Sequence, residues 1–308
     1  MSALNELANL RQVSDKGKKQ NKTAFIFLAP WLAGLVLITA APLVASLVLS
    51  FTDYPLLKAP TFNGLDNYIK IFSDKRFRKS LKVTLTYVLV STPLQLALAL
   101  AIAVLLNRGM KGLAFYRSIF YLPSLMGSSV AIAMLWRQVF GSQGLVSTVL
   151  AKFGLADPAQ SWIADPKTSL VTIILLHVWT FGSPMVIFLA GLRQIPMMYY
   201  EAAAVDGANK WTQFWNITMP LLTPVIFFNL VMQIIGAFQS FTQAFVVSNG
   251  TGGPVDSTLF YSLYVYQQGF VQFRMGYASA LAWVLVVIVG AFTAVNFFFS
   301  KYWVFYDD

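Results

Sequence analysis

Long uncharged stretches alternate with short charged ones along the whole chain. Counting only Asp, Glu, Lys and Arg as breaks, apolar runs occupy residues 23–52, 83–107, 118–136, 168–192, 211–255 and 275–300. About twenty residues of helix cross the hydrocarbon core of a bilayer, so each run reads as a membrane span. The fifth run is too long for one helix. Its membrane part is placed at 221–247, and the remainder goes to a segment before it and to the turn-rich Ser248-Asn249-Gly250-Thr251-Gly252-Gly253-Pro254 loop after it. Residues 257–273, rich in Tyr and Gln and a little short, read as an interfacial or loop segment. The pattern therefore predicts an all-α polytopic membrane protein with six transmembrane helices, at about 23–50, 83–107, 118–137, 168–191, 221–247 and 275–299, with tails at 1–22 and 301–308. Prolines at 30, 42, 93, 123, 184 and 224 are expected to interrupt several spans.

Composition agrees with a lipid solvent: 57% of the residues are hydrophobic and 11% charged, against about 25% charged in a soluble domain. With no cysteine and one histidine, the chain has no thiol nucleophile, no disulfide and no metal-ligand cluster. The net charge of +10 is spread over loops and tails and gathers on no single face, so anionic lipid rather than nucleic acid is the expected counter-charge. Six crossings put both termini on one side, and Lys16, Lys18, Lys19 and Lys22 favour the cytoplasm for it. The rest of the charge is neutral on orientation, because Lys70, Lys75, Arg76, Arg78, Lys79 and Lys82 crowd the first outer loop. Alternating with Tyr68, Ile71, Phe72, Phe77 and Leu81, they read as an amphipathic helix on the outer leaflet leading into the second span. The first apolar stretch is long enough to stay as an anchor rather than be removed as a signal peptide. Between spans three and four, residues 141–167 suffice only for a small outer cap.

Between the fourth and fifth runs lies Glu201-Ala202-Ala203-Ala204-Val205-Asp206-Gly207-Ala208, a short helix of small residues with two carboxylates that must stay in water. Small side chains let another protein approach the backbone, which makes this a docking element. With Ile195-Pro196 before it and Ile217, Pro220 and Pro224 after it, the segment resembles the signature of inner-membrane permeases of binding-protein-dependent ATP-binding-cassette importers. The sugar branch, and within it the larger maltose-type permease of the type I importers, is the nearest in pattern. Supporting it are Phe27-Leu28-Ala29-Pro30, Asn63-Gly64-Leu65-Asp66-Asn67-Tyr68, Tyr121-Leu122-Pro123, Ala190-Gly191-Leu192-Arg193 and Gly252-Gly253-Pro254. The resemblance implies that residues 196–220 couple the chain to a separate ATPase dimer, with Glu201, Ala202, Ala203, Asp206, Gly207 and Ala208 in contact. Glu201 would pair with a basic group of that partner or cap its own helix, and Gly207 would lie at close contact. Gly207→Asp should then leave the protein in the membrane but uncouple it. The chain itself has no Gly-x-x-x-x-Gly-Lys-Ser/Thr phosphate loop, so ATP and magnesium would belong to the partner and no cofactor to this chain. A related permease as heterodimer partner and an extracytoplasmic solute-binding protein are implied in the same way.

A sugar site needs amides and hydroxyls for the ring hydroxyls and aromatic faces for the ring. Span five offers Asn229, Gln233, Gln239, Thr242 and Gln243, and span four His177, Trp179, Thr180 and Phe181. The family resemblance points to these two spans for the sugar, and within them to Gln239, Thr242, Gln243, His177, Thr180 and Phe181. Each amide serves equally as an interhelical hydrogen bond, and His177 as a buried histidine bonded to a neighbouring helix. The rival reading, a secondary transporter coupled to an ion gradient, would want an acid inside a span, and the six runs contain none. A membrane enzyme would want a cluster around the one histidine, which has no acid near it in sequence.

Overall fold

In the computed structural model, which describes residues 25–109 and 112–305, helices make up nearly the whole architecture. Lys16, Lys18, Lys19, Lys22 and residues 306–308 lie outside the described residues. The first span is α1 (Phe25–Ser50), widened into a π stretch at Leu35–Ala40 that ends two residues before Pro42. A proline has no N–H for the carbonyl four residues back and its ring crowds that turn, which a wider turn relieves. A short ribbon follows, β1 (Thr52–Asp53) antiparallel to β2 (Thr61–Phe62). The Asn67 amide holds it by donating to the carbonyls of Ser50 at 2.9 Å and Thr52 at 2.8 Å.

The basic stretch before span two is not one interfacial helix. α2 (Asp66–Ser73) stops at Asp74, whose carboxylate caps the next helix by accepting from the backbone N–H of Arg76 at 2.8 Å and Phe77 at 3.2 Å. α3 (Lys75–Leu106) then runs unbroken for 32 residues, about 48 Å at 1.5 Å per residue. Lys75, Arg76, Arg78, Lys79 and Lys82 are thus the first turns of the membrane helix itself.

Spans three and four are each broken. α4 (Leu113–Met126) and α5 (Val130–Val139) meet at 94°, and α7 (Ser169–Trp179) and α8 (Gly182–Gln194) at 40°. Between them α6 (Leu145–Lys152) and its loops form a cap, closed by the Trp162 indole donating to Ser147 at 3.0 Å. α9 (Met197–Val205) and α10 (Lys210–Gln213) lead through a π turn, Phe214–Thr218, into α11 (Met219–Phe238). A non-helical step separates α11 from α12 (Thr242–Val247), and α13 (Tyr261–Tyr266) and α14 (Met275–Ser300) complete the chain. Among the described residues four helices are long and apolar enough to span, and up to six spans result if each bent pair is one. Two interruptions fall at prolines, the π stretch just before Pro42 and the α7–α8 break one turn before Pro184, whereas α3 passes Pro93, α4 passes Pro123 and α11 passes Pro224 without interruption.

Within residues 257–273, positions 257–269 are buried or half-buried rather than interfacial, and only 270–273 are exposed. Leu259, Phe260, Tyr261, Leu263 and Tyr264 join the core that α3, α7 and α14 share. A Tyr- and Gln-rich segment can be buried because its polar groups find protein partners. The Tyr261 N–H donates to Thr84 Oγ1 at 2.8 Å and its hydroxyl to the Leu281 carbonyl at 2.7 Å. The segment is also fastened at the head of α3. The hydroxyls of Tyr264 and Tyr277, the latter at 2.7 Å, both donate to Asp74, and Arg76 makes a two-pronged ion pair with Asp256 at 2.7 and 3.0 Å. Burial by itself would raise the Asp74 carboxyl, but these hydroxyls and the two backbone N–H groups outweigh it and hold the group below the ordinary aspartate value. A second core forms where α3, α8 and α11 meet. α1 packs on α14 and leaves its other faces bare, with Phe27, Trp31 and Ile38 exposed.

Candidate functional site

α9 has no buried residue, and its end is built by a glycine. Asp206 closes the helix and Gly207 follows at φ 80°, the left-handed conformation that L side chains resist. That turn lets the Gly207 N–H reach the Ala204 carbonyl at 3.1 Å and the Ala208 N–H the Ala203 carbonyl at 2.9 Å, the two bonds of a Schellman cap. The next helix starts at once. Asn209 caps α10 by accepting from the Thr212 N–H at 2.9 Å, and the Gln213 amide returns to the Ala208 carbonyl at 3.0 Å. The Tyr200 hydroxyl meets Thr218 Oγ1 at 2.9 Å, tying α9 to the root of span five. The result is a rigid, exposed elbow. Glu201, Ala202 and Asp206 face out, with Ala203 and Ala208 half-buried. Glu201 lies a full turn inside the helix and caps nothing in it. A Cβ on Gly207 would meet nothing within 4 Å in this chain, so the demand for glycine inside the chain is conformational, not steric.

The second constellation sits where spans three, four and five are interrupted. Pro184 has no N–H to give the Thr180 carbonyl, and other spans supply the missing donors. Ser124 Oγ donates to that carbonyl at 2.7 Å, and Gln95 Nε2 lies 3.1 Å from it, 3.1 Å from Thr180 Oγ1 and 3.1 Å from the His177 carbonyl. Ser124 also accepts from the Ser183 N–H at 2.8 Å. Gln243 Nε2 donates across to the Gly127 carbonyl at 3.1 Å, while its Oε1 accepts from Ser240 at 3.2 Å. The breaks come close enough to exclude side chains. A Cβ on Gly127 would lie 2.0 Å from Thr180 Cγ2, and one on Gly182 2.2 Å from the Phe120 carbonyl oxygen. Beside this junction Ser91 Oγ, Thr92 Oγ1, Gln95 Oε1 and His177 Nε2 are buried without a hydrogen-bond partner among the described residues.

Of the nine residues expected to line a sugar path, the junction gathers Thr180, Gln243 and the His177 backbone. Thr242 opens α12 beside it. Gln239 is elsewhere: exposed at the end of α11, it lines a cavity of about 680 Å³ against α14 with Gly290 and Thr293. Asn229 is buried, its amide bonded to the Val225 carbonyl one turn back at 3.2 Å, and Gln233 is half-buried in the same helix. Trp179 pairs with Trp136 at 6.0 Å between ring centres, Phe181 with Phe120 at 6.0 Å, and the His177 ring with Tyr87 at 5.4 Å. Sequence reasoning missed Gln95, Ser124, Gly127 and Gly182. The available signal was an amide two residues after Pro93 and a Ser just after Pro123, in runs otherwise free of strong polar groups. Among the described residues no three His, Asp or Glu side chains gather as a metal site would require.

Residues 73–303 match the family of binding-protein-dependent transport system inner membrane components. The chain is 52% identical over 292 residues to a probable ABC transporter permease protein, YesP, of Bacillus subtilis (strain 168), covering 94% of each. It is 31% identical to the lactose transport system permease protein LacF of Rhizobium radiobacter, over 90% of this chain and 93% of that one. In three dimensions it resembles a chain of a bacterial alginate ABC transporter, solved with its alginate pentasaccharide-bound periplasmic protein, with a TM-score of 0.79 at 21% identity over 93% of this chain and 96% of that one. An exposed elbow between helical spans, a shared permease fold and a family match over most of its length lead to one conclusion: the chain belongs to the family of inner-membrane permease subunits of binding-protein-dependent ABC importers.

Proposed function

We propose that this permease carries a sugar or oligosaccharide, and that the elbow at Met197–Ala208 transmits the work of a separate ATPase dimer to the broken spans. The observation that carries the coupling half is the Schellman-capped, largely exposed α9, joined through Asn209, Gln213 and the Tyr200–Thr218 bond to span five. A push on such an element moves the helix behind it instead of bending a loop. Glu201, Asp206 and the small residues Ala202, Ala203, Gly207 and Ala208 would be the contact surface. The reading also places both termini in the cytoplasm, pairs the chain with a related permease, and has an outer binding protein deliver cargo.

The sugar half draws on relatives named for lactose and arabinooligosaccharide transport, and on the polar junction. Interrupted helices at membrane depth are tolerated where they are buried in protein or line a cavity, and substrate sites favour such places. Thr180, Thr242 and His177 near the junction, and Gln239 in its own cavity, are the proposed contacts. Mass spectrometry of what co-purifies from the native membrane tests the assembly. A second permease and a Walker-motif ATPase support the proposal, whereas a chain that arrives alone and moves solute without ATP refutes it. The substrate half is tested separately by sugar-stimulated ATPase activity of the reconstituted complex.

A further inference from the structure

A cavity of about 600 Å³ lies between the end of α3 and the α9–α10 elbow, and its lining holds two cations, Arg108 and Lys210, and no carboxylate. Neither cation enters an ion pair among the described residues. Asn107 adds an exposed amide, and Val104 contributes apolar wall. At its rim Trp211 is 70% exposed, and Trp215, 50% exposed, packs against it with ring centres 5.8 Å apart. Exposed indoles at the end of a membrane helix are the side chains that settle at headgroup depth, apolar body inward and N–H toward water.

We infer that this cavity binds the phosphate headgroup of an anionic lipid. The Arg108 guanidinium offers a planar fork for two phosphate oxygens, Lys210 a second positive charge, and Asn107 a donor for a glycerol or ester oxygen. The apolar wall and the indoles suit the start of the acyl chains, which a free anion would not use. Charge complementarity therefore selects an anionic over a zwitterionic lipid, as basic pockets between membrane helices do. Because Lys210 opens α10, a lipid held there braces the elbow against the end of span two. The inference goes beyond the transport reading, and its measurement needs no transport.

The purified protein, with whatever subunits accompany it, is exchanged into mixed micelles holding equal phosphatidylglycerol and phosphatidylcholine, and retained lipid is read by native mass spectrometry. Phosphatidylglycerol should be retained preferentially, and R108Q/K210Q should lose it by roughly tenfold or more. R78Q/K79Q, which removes the same charge from exposed positions at the other end of α3, should retain it as the wild type does. The swap R108K/K210R should also retain it, which separates binding from a folding defect. Equal retention of both lipids, or full retention by R108Q/K210Q, overturns the inference. So does displacement of the lipid by millimolar inorganic phosphate, which would assign the cavity to a soluble anion. Loss of a co-purifying ATPase from R108Q/K210Q with lipid retention unchanged would also overturn it, and would assign the cations to a partner's carboxylate.

Discussion

Gly207 and Gly182 show two different reasons for a glycine, and the difference can be measured. At Gly207 the backbone sits at φ 80° with open space around it. Gly207→Ala should therefore destabilise the elbow by about 1–2 kcal/mol, whereas Gly207→Asn, which tolerates the left-handed region, should melt within a few degrees of wild type. If coupling also needs a bare backbone for the ATPase, Gly207→Asn will be well folded and inactive in sugar-stimulated hydrolysis. Gly207→Asp, with a charge added, is the less discriminating change. At Gly182 the conflict is with backbone: an added Cβ lies 2.2 Å from the Phe120 oxygen and 2.7 Å from Tyr121 Cα. Backbone cannot swing aside, so Gly182→Ala should cost about 1–3 kcal/mol and reduce the level of folded protein in the membrane. Gly290→Ala, where nothing lies within 4 Å in this chain, serves as the control. The sequence announced Gly207 by its Asp-Gly-Ala setting; Gly182 carried no mark, because the neighbour that forbids a side chain there is some sixty positions away in sequence.

Elements in this protein are joined by polar groups that repair one another's interruptions, and the head of α3 offers a titratable example. The Asp74 carboxyl is held below its ordinary value of 3.8, so it contributes stability above that pH and loses the contribution as pH falls through its lower native value. Thermal unfolding should therefore show a drop in midpoint as the pH is taken below about 4. Asp74→Asn keeps an oxygen to cap α3 but has no charge to lose, so its midpoint should lack that part of the acid dependence. An identical acid profile in the variant would mean that other carboxylates, not this clasp, govern the response. The same logic of repair explains which elements were legible. The six apolar runs gave the spans, but the bends at 94° and 40° depend on where Gln95, Ser124 and Gln243 can reach a freed carbonyl. Residues 257–273 looked interfacial for the same reason: their Tyr and Gln partners lie on other helices.

For the molecule as a whole, Gln239 and Gln243 separate transport from architecture. Both the nitrogen and the oxygen of the Gln243 amide are engaged at the break, so Gln243→Ala should lower stability by about 1–3 kcal/mol and reduce assembly. Gln239 lines an open cavity, so Gln239→Ala should leave assembly intact and weaken sugar-stimulated transport; an unchanged rate would remove it from the path. By itself the sequence determined the apolar solvent, the helical class, the runs that become spans and the small-residue helix that the structure leaves exposed. These follow from local quantities: the length of uncharged runs, and the small residues and Asp-Gly of one helix end. Only the tertiary structure decided that two spans bend, that a polar segment is buried, and that Thr180, Gln243 and Gly127 share one junction while Gln239 faces another helix. Hydrocarbon forbids an unpartnered backbone group, and which distant side chain answers that demand is a property of packing, not of any window of sequence.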